Sequence, residues 1–144
     1  MTSPQNHREC ILIIDDNSLY LQLFSALLAP RDYVVLQAET GNIGLDLARK
    51  HQPDLIILDL KLPDLPGIEV ATALKADRKT RDIPIITTTA FMETAFMNGK
   101  EREVRAAGCD HLMIKPVNPG KFLPTVEALL QRVQVPATPT PPKP

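Results

Sequence analysis

The sequence predicts an α/β domain of five βα units, with helices packed on both faces of one parallel sheet. Three observations carry this. Short aliphatic runs recur without polar alternation, as in strands covered on both faces. Segments with apolar residues at helical spacing separate them. The two kinds alternate strictly along the chain, which is how parallel strands must be connected.

The first run, ILII, ends on Asp15-Asp16. SLYLQLFSALLA (Ser18 to Ala29) follows as a helix stopped by Pro30, with Leu19, Leu23, Ala26 and Leu27 expected on the buried stripe. YVVLQ (Tyr33 to Gln37) is the second strand. Thr40 can cap GNIGLDLARK, expected to bury Ile43, Leu47 and Ala48 and to end on basic Arg49 and Lys50. LIIL leads into Asp59, and GIEVATALKA (Gly67 to Ala76) carries Ile68, Ala71 and Leu74 at helical spacing. IPIITT leads into Thr89. KEREVRAA (Lys100 to Ala107) is a helix ending at Gly108, and HLMI leads into Lys115-Pro116. FLPTVEALLQRV closes the domain on Phe122, Val126, Leu129, Leu130 and Val133; with Pro124 inside it, the helix is expected to start near Lys121, leaving Asn118 to Gly120 as a turn.

Composition excludes several classes. The chain has 144 residues, enough for one domain without staples, and a net charge of −1 with both signs scattered, which offers no footprint for nucleic acid or anionic lipid. No apolar run approaches the ~18 residues of a membrane span, and MTSPQNHRE is too polar for a signal peptide. Cys10 and Cys109 have no CxxC spacing and read as small core residues of a protein in the reducing cytoplasm. The three histidines show no zinc spacing. Residues 1–7 are expected to be a polar disordered tail, 8–134 the folded domain, and 135–144, with five of the 14 prolines, an extended proline-rich tail.

Right-handed crossovers bring the carboxyl ends of all five strands to one edge, where ligands of open α/β sheets bind. That edge collects Asp15, Asp16, Asp59, Thr89 and Lys115. Converging carboxylates repel one another unless a cation sits among them, and Mg²⁺ suits an all-oxygen set. One carboxylate can then act as nucleophile toward a phosphoryl group, whose oxygens an ammonium and a hydroxyl can neutralise.

ILIIDDN, PDLIILDLKLPDLPGIEV, IPIITTTA and AAGCDHLMIKP together resemble the response-regulator receiver domain, over nearly the whole chain outside its tails. The resemblance implies a flavodoxin-like fold with strand order 2-1-3-4-5, the order of chemotaxis receivers as well. It implies Asp59 as phosphoacceptor and Asp16, Asp59 and the Lys61 backbone carbonyl as direct Mg²⁺ ligands. Asp15 would act mainly through water, Lys115 would contact phosphoryl oxygens, and Thr89 would hydrogen-bond them once they arrive. It further implies a cis Lys115-Pro116 bond. The donor would be a histidine kinase or a histidine phosphotransfer protein, and the chain no enzyme beyond its own phosphoryl transfer and autodephosphorylation. The expected product is a single-domain receiver, most similar to the cell-division type and less to the chemotaxis type. Its output would be contact with a downstream protein through the fourth helix, fifth strand and fifth helix. Monomer and weak homodimer both stay open.

Three departures from the family pattern stand out. TAFME and TAFMN, residues 89 to 98, form a five-residue repeat that lengthens a normally shorter connection and offers Thr94 as a second candidate switch hydroxyl. Thr89 is preferred because strand length fixes its depth, whereas a loop absorbs an insertion cheaply. Leu112 occupies the position where many receivers place an aromatic, with His111 on the opposite face, so coupling is expected to run through the lengthened loop instead. Lys61 and Phe91 are bulky flanks of the site, which predicts a long-lived phosphoryl group. An aspartate-nucleophile phosphatase would need a second Asp where Lys61 stands, and a P-loop enzyme would need a GxxxxGK[ST] stretch that is missing. The remaining alternative is a phosphorylation-independent docking module of the same fold.

Overall fold

A computed structural model describes residues 8–90 and 100–134. In chain order the elements are β1 (Cys10–Ile14), α1 (Ser18–Leu28), β2 (Val34–Ala38), α2 (Gly41–His51), β3 (Leu55–Asp59), α3 (Gly67–Ala76), β4 (Ile85–Ala90), α4 (Lys100–Ala106), β5 (His111–Lys115) and α5 (Pro119–Gln134). All strand pairs are parallel, in the order β2-β1-β3-β4-β5, so the order reverses beside β1 and β3 as expected. No helix among the described residues is long and apolar enough to cross a membrane.

Strand alternation divides the core into two layers. Ile11, Ile13, Leu55, Ile57, Ile86 and Met113 face α1 and α5, where Phe24 and Phe122 stack with ring centroids 5.1 Å apart. Leu12, Ile14, Ile56, Leu58 and Ile85 face α2 and α3, against Leu45, Ala48, Val70, Ala71 and Leu74. Gly44 exists for this second layer, since a Cβ there would stand 2.5 Å from the Ile14 side chain. Asn17 caps α1 by accepting from the Leu19 and Tyr20 N–H groups, and Thr40 caps α2 as expected. Gly108, at φ +100, takes the left-handed conformation that ends the α4 segment.

The structure corrects the buried face of α1 and α2, while Ala71 and Leu74 of α3 are buried in keeping with their helical spacing. Leu21, Phe24 and Leu28 are buried on α1, while Leu19 and Leu23 are exposed, Ala26 is exposed and Leu27 only half-buried. This helix is apolar on most of its circumference, so spacing alone leaves its rotation open; the Phe24–Phe122 stack decides it. On α2, Ile43 points outward and Gly41, Gly44, Leu45 and Ala48 point in, with Leu47 half-buried, because the close approach to β1 needs the glycine side. On α3, Val70 is fully buried and Ile68 only half. The last helix starts at Pro119, not near Lys121. Asn118 accepts from the Gly120 N–H with its side chain and from Lys121 and Phe122 N–H with its carbonyl, which opens the helix at once. Pro124 sits inside, exposed, one turn from the start, where the lost N–H bond falls opposite Gly120 and the ring meets the smallest residue. The tails at 1–7 and 135–144, the TAFM repeat beyond Ala90, Phe91 and Thr94 lie outside the described residues, as does the side chain of Val133.

Candidate functional site

Four strand ends deliver the site. Each run of aliphatic residues keeps its strand rigid to the edge of the sheet, and the first polar residue after it meets its neighbours there. Asp15 follows β1 and is buried; its N–H donates to the Ala38 carbonyl at 3.0 Å, continuing the ladder one residue past the strand. Asp16 turns out to solvent. Asp59 ends β3 and is 6% exposed. Oxygens of Asp15, Asp16 and Asp59 all lie within 4.8 Å of one another.

Lys115 reaches this cluster from β5, two strands away from β3. Its Nζ lies 2.8 Å from Asp15 Oδ2 and 3.4 Å from Asp59 Oδ2, and 4.2 Å from the centroid of the Tyr20 ring. To get there the stem crosses β4, where its register neighbour is Ala90, a side chain small enough to let it pass. The Lys115-Pro116 bond is cis, as the resemblance implies.

The loop after β3 is held tightly. Lys61 N–H donates to Asp59 Oδ1 at 3.2 Å, and Lys61 bridges to Pro66. Gly67 packs so closely on the end of β3 that a Cβ would stand 2.5 Å from the Asp59 carbonyl. Asp64 anchors the same loop to α2, accepting from Gly41 and Asn42 N–H at 2.8 Å each. These bonds hold its carboxyl below the ordinary range. Asp16, Asn17, Asp59, Lys61, Ala90 and Lys115 line an open cleft over the cluster.

Among the described residues, the Lys115 ammonium is shared between Asp15 and Asp59 while Asp16 adds a third carboxylate to the cluster. Burial pushes the Asp59 carboxyl up, and the negative charge of Asp15 pushes it further; Lys115 and the Lys61 N–H only partly offset this, leaving it at about 6. Burial works against the Lys115 ammonium, but the hydrogen bond to Asp15 and the charges of Asp59 and Asp15 outweigh it and hold its pKa above the lysine value. The surplus of hard oxygen donors, open to solvent on the Asp16 side, fits Mg²⁺.

The threonines of β4 divide between faces. Thr88 pairs in register with Asp59 and Met113 and so shares their face; Thr87 and Thr89 lie on the other. Thr87 donates to the His111 carbonyl at 3.2 Å. Thr88 and Thr89 are buried, and neither Oγ1 has a hydrogen-bond partner among the described residues. Leu112 is half-buried opposite Thr87 in register, with His111 exposed on the other face of β5.

Sequence reasoning missed Tyr20, Asn17 and Asp64. The signal for Tyr20 was present, an aromatic one turn after the Asp-Asp pair, but it was absorbed into a generic apolar helix. Asn17, directly after the pair, also gives its backbone N–H to Asp15 Oδ1 at 2.9 Å. Asp64 gave no signal, because its partners lie 22 and 23 residues away.

The sequence matches the response regulator receiver domain family over residues 11–127. It is 38% identical over 120 residues to the polar-differentiation response regulator DivK of Brucella ovis, covering 83% of this chain and 94% of the relative. The chemotaxis response regulator CheY4 of Vibrio cholerae superposes with a TM-score of 0.76 at 28% identity, over 85% of this chain and 99% of its own. The receiver domain of a sensor histidine kinase from Pseudomonas aeruginosa, solved with magnesium coordinated in its active-site cleft, shares the fold with a TM-score of 0.76 at 23% identity, over 87% of this chain and 99% of its own.

Proposed function

The chain belongs to the response-regulator receiver domain family of two-component signalling, and we propose that it accepts a phosphoryl group from a phosphohistidine donor onto Asp59 and signals through protein contacts. The observation that carries this reading is the under-neutralised carboxylate at the end of β3, buried, fixed by the Lys61 N–H and touched by the Lys115 ammonium. Such a group is a poor resting structure and a well-placed nucleophile.

Asp16 and Asp59, with the Lys61 backbone carbonyl, would hold Mg²⁺, and Asp15, already engaged by Lys115 and Asn17, would act through water. Bound there, the metal would supply charge neutralisation for the incoming phosphoryl oxygens. Asp59 attacks phosphorus in line with the leaving imidazole of the donor, the phosphorus–nitrogen bond breaks, and its electron pair stays on the imidazole. Lys115 turns its ammonium from the carboxylates to the phosphoryl oxygens. Thr89 lies on the face of β4 opposite Asp59 but next to the strand's end, and its buried hydroxyl, without a partner among the described residues, would hydrogen-bond those oxygens over the sheet edge. Lys61 stands at the mouth of the cleft and hinders the water that would hydrolyse the product.

A histidine kinase or a histidine phosphotransfer protein is the donor, and the exposed Leu19 and Leu23 of α1, the helix that Asn17 of the cleft caps, offer it apolar surface. Output runs through α4, β5 and α5, where Ile114 is exposed. A second reading, docking without phosphorylation, is favoured by Leu112, which supplies no ring to follow a moving hydroxyl.

One experiment separates the two: incubation with Mg²⁺ and acetyl phosphate, followed by intact mass and binding to a candidate target, for wild type and Asp59→Asn. Gain of one phosphoryl by wild type alone, with changed binding, is expected. No gain, or identical binding in both states, leaves the docking reading.

A further inference from the structure

The buried lysine of the cleft rests on an aromatic face. Tyr20 lies in the first turn of α1, one helical step beyond the cap Asn17, and its ring stands under Lys115 Nζ at 4.2 Å. The ring is itself seated, tilted on Phe24 at 5.6 Å, and Phe24 stacks on Phe122 of α5. A column of three rings thus runs from the core to the ammonium.

We infer that Tyr20 is a positioning residue for Lys115, its ring face holding the ammonium in the cleft while the N–H bonds change from carboxylate to phosphoryl oxygens. This rests on the phosphoryl-acceptor reading above. The physical need is specific. Lys115 has to leave Asp15 and Asp59 without leaving the site, and a hydrogen-bonding partner on its far side would compete for its protons. The negative face of a ring attracts the cation without consuming a particular N–H, and its attraction is broad in direction. The ring also excludes water from one side of the ammonium, so the charge acts on the transition state through a lower effective dielectric. Aliphatic side chains of similar bulk supply the exclusion without the attraction.

In the transfer itself the bond from the donor to phosphorus breaks, the bond to an Asp59 oxygen forms, and the donor keeps the electron pair. Tyr20 touches none of these atoms and acts only through Lys115.

The test uses the full chain with Mg²⁺ and acetyl phosphate, comparing wild type, Tyr20→Leu and Tyr20→Phe in phosphorylation rate, melting temperature and the proton shift of the Lys115 ε-methylene. Leu is expected to slow phosphorylation about three- to tenfold, the loss of one cation–π contact, and Phe to restore it. The ε-methylene signal should be shifted upfield by the ring in wild type and Phe, and the shift should vanish in Leu. A wild-type rate in Leu, or equal slowing in Leu and Phe, overturns the inference; the second result would point to the Tyr hydroxyl. Tyr20→Met replaces Leu if that variant fails to fold. No phosphoryl gain in wild type would remove the acceptor reading, and the ε-methylene shift would still decide whether the ring holds the ammonium.

Discussion

Replacing Asp59 by Asn should make the protein more stable, and the size of the gain follows from the charge imbalance in the cleft. In the fold the Asp59 carboxyl is pushed from 3.8 to about 6, by burial and then by Asp15. At about 1.4 kcal/mol per pH unit, the ionised form carries a penalty of at most about 3 kcal/mol at pH 7. Solvent in the open cleft screens part of it, so roughly 1–2 kcal/mol is expected. For a chain of this length that is a rise of roughly 3–6 °C in melting temperature. The sign in pH is fixed: a carboxyl whose folded pKa is raised binds its proton more readily in the native state, so wild-type stability falls as pH rises from about 4 to about 6. The gap between Asn and wild type should therefore narrow to about half at pH 5. Saturating Mg²⁺, at a hundred times its dissociation constant, should add about 2.7 kcal/mol to wild type and far less to the variant. Urea denaturation at pH 7 and pH 5, with and without Mg²⁺, measures all of this. An Asn variant no more stable than wild type, or a gap that ignores pH, would refute the imbalance.

Other perturbations probe separate parts of the argument. Thr88→Val removes a buried hydroxyl with no partner among the described residues and keeps the shape, so it should stabilise the fold by about 1 kcal/mol in urea denaturation; a loss would mean that the hydroxyl is paired. Burial pushes the Cys109 thiol up to about 11, so iodoacetamide should modify it about a hundredfold more slowly than a free cysteine at pH 8, read by peptide mass. Asp64→Asn should lower the melting temperature at neutral pH and lose that effect in acid, because a carboxyl with a depressed folded pKa gives stability that is present above about pH 4 and lost as pH falls through its folded value. Lys61→Gly should shorten the life of the phosphoryl group on Asp59, followed by intact mass after the donor is removed; an unchanged or longer life would clear Lys61 of hindering water.

The sequence displayed the sheet because its central strands β1 and β3 are aliphatic runs buried on both faces; Ile11 through Ile14 could be nothing else in an alternating chain. For the same reason it displayed the site, since the residue after each run has only one edge to go to. What it hid is rotation and reach. Leu19 and Leu21 are chemically alike, and which of them is buried depends on a ring on α5 more than ninety residues away. Lys115 could be assigned to the site from its strand, but its contact with Tyr20 depends on the length of its stem and on Ala90 leaving the way clear. Asp64 reads as a turn residue between two prolines, and only the fold reveals that it anchors the loop to α2.

The two edges of the sheet treat the same residue type in opposite ways. At the amino edge, Asp54 accepts from the Cys10 N–H and Asp110 from the Ile85 N–H, so each carboxylate satisfies the opening of a neighbouring strand. At the carboxyl edge, Asp15, Asp16 and Asp59 crowd one another, a buried lysine is shared unequally between two of them, and the Oγ1 atoms of Thr88 and Thr89 find no partner among the described residues. Buried polar groups left this way cost stability, and among the described residues that cost falls at the carboxyl edge. A metal and a phosphoryl group would relieve the crowding by bringing the positive charge and the acceptor oxygens that the edge lacks. That complementarity is why the Asn variant should gain stability while losing the response to Mg²⁺, and why the two effects have to appear together.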